Sequence, residues 1–177
     1  FAAKIYYRLL ARVLPPDYGF AGRNRRPPKD PVNSMLSFSY TLLCAELQGL
    51  CEAHGLDPFM GCYHEPDYGR PSLAADLCEE FRAPAADRFV LHCASRGIVK
   101  PEEFFYDGEK GCRFEPEALK RFIAAYERWM TRPAAAGASW RDIMRRQAER
   151  MVRYFDGGDE YEPYLYGGEP DDDDGEL

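Results

Sequence analysis

An all-α fold, with at most one small β-hairpin, is predicted from three observations on this sequence. Apolar residues recur at helical spacings through most of the chain. Prolines and glycines punctuate the gaps between those stretches. A strand-like pattern around a turn occurs only between Phe104 and Phe114. The elements follow in order. A first helix is expected over Ala2 to Leu14, stopped by Pro15-Pro16. A loop rich in Gly, Pro and Arg comes next, and Asp30-Pro31 reads as an N-cap and first-turn pair. The second helix, Val32 to Ala53, is marked by Met35, Leu36, Leu42, Leu43, Leu47 and Leu50, with Gly55 as its C-terminal stop. Ser72 is expected to cap a third helix through Arg82. Pro84 should break or restart it, and Ala85 to Arg96 continue it to Gly97. After the Phe104–Phe114 hairpin come two helices, roughly Pro116 to Met130 and Ser139 to Phe155, joined by the alanine-rich segment Pro133 to Ala138. No internal repeat is present.

The 177 residues suffice for one ordinary domain, and 45% hydrophobic content fits a globular chain. No apolar run approaches the roughly 20 residues of a membrane span, and no signal peptide is visible, so no membrane partner is expected. The net charge of −7 is unevenly placed: all 23 Lys and Arg lie at or before Arg153, while ten acidic residues and no basic ones follow Tyr154. Setting that tail aside leaves 23 basic against 20 acidic residues, a mildly basic body able to meet a polyanion locally. Two units are therefore expected, a helical domain over 1–155 and an acidic, disordered tail over 156–177. The six cysteines show no C-x-x-C pairing and read as buried, reduced thiols.

Of the three histidines, His54 sits at a helix end, where it complements the helix dipole, and His92 lies in an apolar run, as a core histidine does. His64 differs. It falls in a long connection, Gly55 to Pro71, among Gly61, Tyr63, Glu65 and Asp67, and loops of that length are often functional. On the following helix Asp76 and Glu79 are three apart and share a face, which Arg82 extends. A loop imidazole set against two helical carboxylates suits a divalent cation such as Mg²⁺ or Mn²⁺. The alternative is a surface ion pair between Glu79 and Arg82, which spacing does not separate from a metal face. Arg23, Arg25, Arg26 and Lys29 form a basic loop, and Arg70 adds a cation near a helix N-terminus. They are candidates for phosphate contacts, or else a solvated connection.

Three blocks in order resemble a known family: Gly22-Arg-Asn-Arg-Arg-Pro-Pro-Lys-Asp-Pro-Val-Asn-Ser-Met-Leu-Ser-Phe-Ser-Tyr40, Gly55-Leu-Asp-Pro-Phe-Met-Gly-Cys-Tyr-His64 and Tyr68-Gly-Arg-Pro-Ser-Leu-Ala-Ala-Asp-Leu-Cys-Glu-Glu-Phe-Arg82. Together they are similar to the CRISPR-associated adaptation integrase, the catalytic subunit of the spacer-acquisition complex. The resemblance spans about residues 20 to 90 and implies the family's helical C-terminal domain. It implies that His64 and Glu79 bind one Mg²⁺ or Mn²⁺, with Asp76 a ligand or close to the ion. Asn33 and Arg82 would take structural or phosphate-facing positions. The family's remaining ligand, a Glu in a Glu-Gly pair, is expected upstream of Phe1, so these 177 residues alone are expected to be inactive. The implied reaction is attack of a 3′-hydroxyl of a short duplex on a phosphodiester of the repeat array. The implied partners are double-stranded DNA (prespacer and array), a second copy contacted through an N-terminal domain, and a small adaptation subunit, in a prokaryotic cytoplasm. Two other functions are compatible with the spacing alone: a metal-dependent phosphohydrolase of small substrates, and a non-catalytic helical scaffold.

Overall fold

The computed structural model describes residues 2–24, 26–63, 69, 71–135, 137–158 and 160–167. Six α-helices make up most of it. Helix α1 (Ala2–Val13) ends ahead of Pro15-Pro16, as proline's missing N–H requires. Helix α2 (Pro31–Ala53) starts on Asp30, whose side chain accepts the Asn33 N–H at 2.8 Å, with Pro31 in the first turn. It stops at His54, the C-cap, before Gly55 at φ +76°. Helix α2 is the spine of the fold: Val32, Met35, Leu36, Leu43, Leu47 and Cys51 are fully buried along it, and α3, α4 and α6 pack against it.

Helix α3 (Ser72–Phe81) is followed by a π-helical turn, Arg82–Asp87, and then by α4 (Arg88–Ser95). Two expectations are corrected here. Ser72 is the first helical residue rather than the cap, a position taken by Pro71, and its side chain is buried. Pro84 does not break the helix. The chain widens into a π turn, which accommodates the ring and the lost N–H while Phe81, Ala85, Ala86 and Phe89 stay in one continuous core. Gly97 ends α4 at φ +63°.

Strands β1 (Phe104–Asp107) and β2 (Gly111–Phe114) form the expected antiparallel hairpin, with Phe104 opposite Phe114. Helix α5 (Pro116–Thr131) precedes a second, smaller strand pair, β3 (Pro133–Ala135) and β4 (Ala138–Ser139), which the sequence pattern did not suggest. Helix α6 (Trp140–Phe155) opens on a capping box between Ser139 and Asp142. Arg141 ties α6 to α2 through Glu46 and to α5 through Glu127, both at 2.8 Å.

The acidic segment also departs from expectation. Residues 160–167 lack regular structure but form a strap across the body, with Tyr161, Tyr164 and Tyr166 against the core. Tyr164 stacks on Phe81 at 5.5 Å, and Arg88 lies 4.8 Å over the Tyr166 ring. The Glu80 carboxylate accepts the Tyr164 N–H at 2.6 Å and the Tyr161 hydroxyl, and it takes the Gln147 amide at 2.9 Å. The aromatic residues explain the difference: three tyrosines bury enough apolar surface to order a segment whose overall charge reads as disordered. The rest of the expected tail, 168–177, lies outside the described residues. No described helix is long and apolar enough to cross a membrane.

Candidate functional site

The connection between α2 and α3 is fastened to α3 at two points. The Pro58 carbonyl accepts the Leu73 N–H at 2.9 Å, occupying a donor that a helix N-terminus leaves open. Further along, one oxygen of Asp76 accepts two successive backbone N–H groups, Cys62 at 2.7 Å and Tyr63 at 2.9 Å. The described chain therefore reaches the residue before His64 while held against the carboxylate of Asp76. One turn on, Glu79 is exposed and pairs with Arg82 at 2.6 Å. Asp76 and Glu79 thus share a face of α3, as their spacing predicts, and the ion pair weighed as the alternative also exists.

The basic loop is more ordered than its composition suggests, and Asn33 is the reason. Its side chain is fully buried. Its Oδ1 accepts from Arg23 at 2.9 Å and from the Asn24 N–H at 2.8 Å, while Nδ2 donates to the Gly22 carbonyl and to Asp30. Every polar site of this amide is used, as burial demands. The hairpin supports the loop from the other side. The Cys112 N–H donates to the Pro28 carbonyl at 2.8 Å, and a Cβ at Gly111 would stand 2.3 Å from that same oxygen.

Arg23 also donates to Ser37 at 3.1 Å and lies 5.3 Å over the ring of Tyr40, while Arg82 lies 5.2 Å over the same ring. Two cations expected on separate segments thus meet at one tyrosine, next to Glu79. Arg26 and Lys29 are exposed on the loop. His64, Arg25 and Arg70 lie outside the described residues. His54 takes the expected helix-end position, its Nε2 4.0 Å from Glu149, and His92 packs on Trp129 at 5.2 Å. Sequence reasoning missed Tyr40, which stands in the first motif block, and Asp87, which carries no local signal.

Asp76 and Glu79 fit a hard divalent cation in kind, since both are oxygen donors on one face of α3. Among the described residues no three His, Cys, Asp or Glu side chains form a metal-sized cluster, so a complete site needs donors beyond them.

The family model for CRISPR associated protein Cas1 matches residues 1–128. A CRISPR-associated endonuclease Cas1 of Thermus thermophilus is 40% identical over 169 residues, which cover 92% of this chain and 51% of that protein. The chain belongs to the Cas1 family. A CRISPR-associated exonuclease Cas4/endonuclease Cas1 fusion from Geobacter sulfurreducens is 43% identical over 145 residues, 79% of this chain and 26% of the fusion. The chain thus spans about half the length of the unfused Cas1 relative and about a quarter of the fused one. Among solved structures, a CAS1 protein from Thermotoga maritima superposes with a TM-score of 0.82 at 24% identity, covering 93% of this chain and 52% of that one. A casposase bound to integration product gives 0.80 at 23%, covering 88% and 45%. At these identities both likenesses speak for the fold. The Cas1 match takes in Asn33, Tyr40, Asp76, Glu79, Arg82 and Asp87, whereas α6 and the strap lie beyond it.

Proposed function

We propose that this chain is the helical part of a Cas1 DNA integrase and endonuclease that inserts new spacers into a CRISPR array. In this reading His64 and Glu79 hold Mg²⁺ or Mn²⁺, and Asp76 positions them or joins them. The observation that carries it is the pair of hydrogen bonds that Asp76 accepts from the Cys62 and Tyr63 amides, which ties the approach to His64 to the helix that presents Glu79. A bound divalent cation would polarise the scissile phosphodiester and stabilise charge on the departing oxygen. The chain's own residues do the rest. Arg82 holds its guanidinium against Glu79, Arg23 braces the basic loop through Asn33 and Ser37, and the exposed Arg26 and Lys29, with Arg25 and Arg70, add phosphate contacts that carry little sequence information. Fixing the duplex end in line with the target phosphate supplies much of the acceleration in any such transesterification. The partners proposed are prespacer and array DNA, a second copy and a small adaptation subunit; a neighbouring solved complex contains Cas1 and Cas2.

The test is strand transfer by the full-length protein, using a short duplex with free 3′-hydroxyls, a supercoiled target and Mn²⁺. His64→Ala and Glu79→Gln should each reduce joined product at least a hundredfold. Full activity in His64→Ala would make the chain a scaffold. Hydrolysis of small phosphate esters that long duplex DNA does not inhibit would make it a phosphohydrolase.

A further inference from the structure

The Asp87 carboxylate, 3% exposed at the end of the π turn, sits where three elements of the site meet. Its Oδ2 accepts the Tyr6 hydroxyl of α1 at 2.7 Å, and its Oδ1 accepts the Tyr40 hydroxyl of α2. Tyr7, also on α1, meets the Tyr40 hydroxyl at 3.0 Å. With both oxygens occupied by phenols, the carboxylate fixes the Tyr40 ring in position and tilt. That ring lies under the guanidinium of Arg82, which reaches Glu79. The connection therefore runs Asp87, Tyr40, Arg82, Glu79, and Arg23 joins it at the same ring.

Charge runs along the same path: among the described residues, Arg23 and Arg82 both act on the Asp87 carboxyl, and Arg82 also pairs with Glu79. Burial pushes the Asp87 carboxyl above its ordinary range, against the pull of the two phenols and two arginines. A neutral amide would avoid that desolvation. It would also take one negative charge away from Arg23 and Arg82 and remove the charge-assisted bonds that hold the ring.

We propose that Asp87, acting through Tyr40, is a positioning residue that sets how readily Glu79 leaves Arg82 to bind a divalent cation. This rests on the metal-site reading above. It is tested in the full-length protein by Mn²⁺ titration, following the electron paramagnetic resonance signal of the free ion, well below the melting temperature of each variant. Asp87→Asn should weaken Mn²⁺ binding about tenfold, the loss of roughly one charge-assisted bond. Tyr40→Phe keeps the ring under Arg82 but loses the hydroxyl, so about threefold weakening is expected. Should Asp87→Asn fail to fold, Tyr40→Phe decides alone. Unchanged Mn²⁺ midpoints in folded variants overturn the proposal even where melting temperatures fall, because a purely structural carboxylate lowers stability without moving the midpoint. Glu79→Gln separates the two readings. If it abolishes binding while the other variants leave it intact, only the role of Asp87 fails; if it leaves binding intact, the metal site fails and takes this proposal with it.

Discussion

Replacing Asp76 with alanine should loosen the approach to His64 while leaving the helical core folded. One Asp76 oxygen takes the Cys62 and Tyr63 N–H groups at 2.7 and 2.9 Å. Hydrogen bonds to an ionised acceptor contribute about 1.5–3 kcal/mol each, and exposure of the two amides places these at the lower end, about 1.5 kcal/mol apiece. Since about 1.4 kcal/mol is tenfold in an equilibrium, exchange of each amide should speed up about tenfold, and about a hundredfold if both bonds open together. Asp76→Asn, which keeps a neutral acceptor, should fall between wild type and alanine. Amide hydrogen exchange read residue by residue is the assay. The Leu73 amide, bonded to Pro58 independently of Asp76, is the internal control. Exchange at Cys62 and Tyr63 that changes less than twofold, or that changes equally at Leu73, would refute the tether.

Three further outcomes follow from the same geometry. Gly111→Ala places a Cβ 2.3 Å from the Pro28 carbonyl at φ +73°, so it should cost about 3 kcal/mol and lower the melting temperature by roughly 10 °C; a change below 2 °C would show that the hairpin does not brace the basic loop. Deleting residues 160–167 removes the Tyr164–Phe81 stack and the bonds of Tyr161 and Tyr164 to Glu80, so it should lower denaturant stability by about 3 kcal/mol; a loss under about 0.5 kcal/mol would show that the strap does not hold the body. Cys62 is the one exposed cysteine of the six, so it should take up a maleimide first. Burial pushes Cys51 and Cys112 up to about 11, which leaves about one thiol in a thousand ionised at pH 8. Equal labelling rates at Cys51 and Cys62 would contradict that.

Where local chemistry decides structure, the sequence was a good guide. The Pro15-Pro16 stop, the Asp30-Pro31 start and the Gly55 and Gly97 ends all correspond to observed helix boundaries, because each depends on a residue's own backbone preference. Pro84 marks the limit of that reasoning: its local penalty is real, but Phe81, Ala85, Ala86 and Phe89 pack into one core and the chain finds a π turn instead of a break. The strap was missed for a related reason, since an acidic composition conceals three tyrosines whose partners, Phe81, Glu80 and Arg88, lie about eighty residues away. In the site, the shared face of Asp76 and Glu79 was legible because helical period fixes it. The meeting of Arg23 and Arg82 at Tyr40, and the bond from Tyr40 to Asp87 across 47 residues, are products of tertiary packing that no local spacing encodes.

Anomalous diffraction from crystals of the full-length protein soaked in Mn²⁺ locates the bound cation directly. One strong peak is expected about 2.1 Å from a Glu79 oxygen and a His64 nitrogen, with Asp76 still bonded to the Cys62 and Tyr63 amides. A peak bound elsewhere, with Glu79 still closed on Arg82, would contradict it.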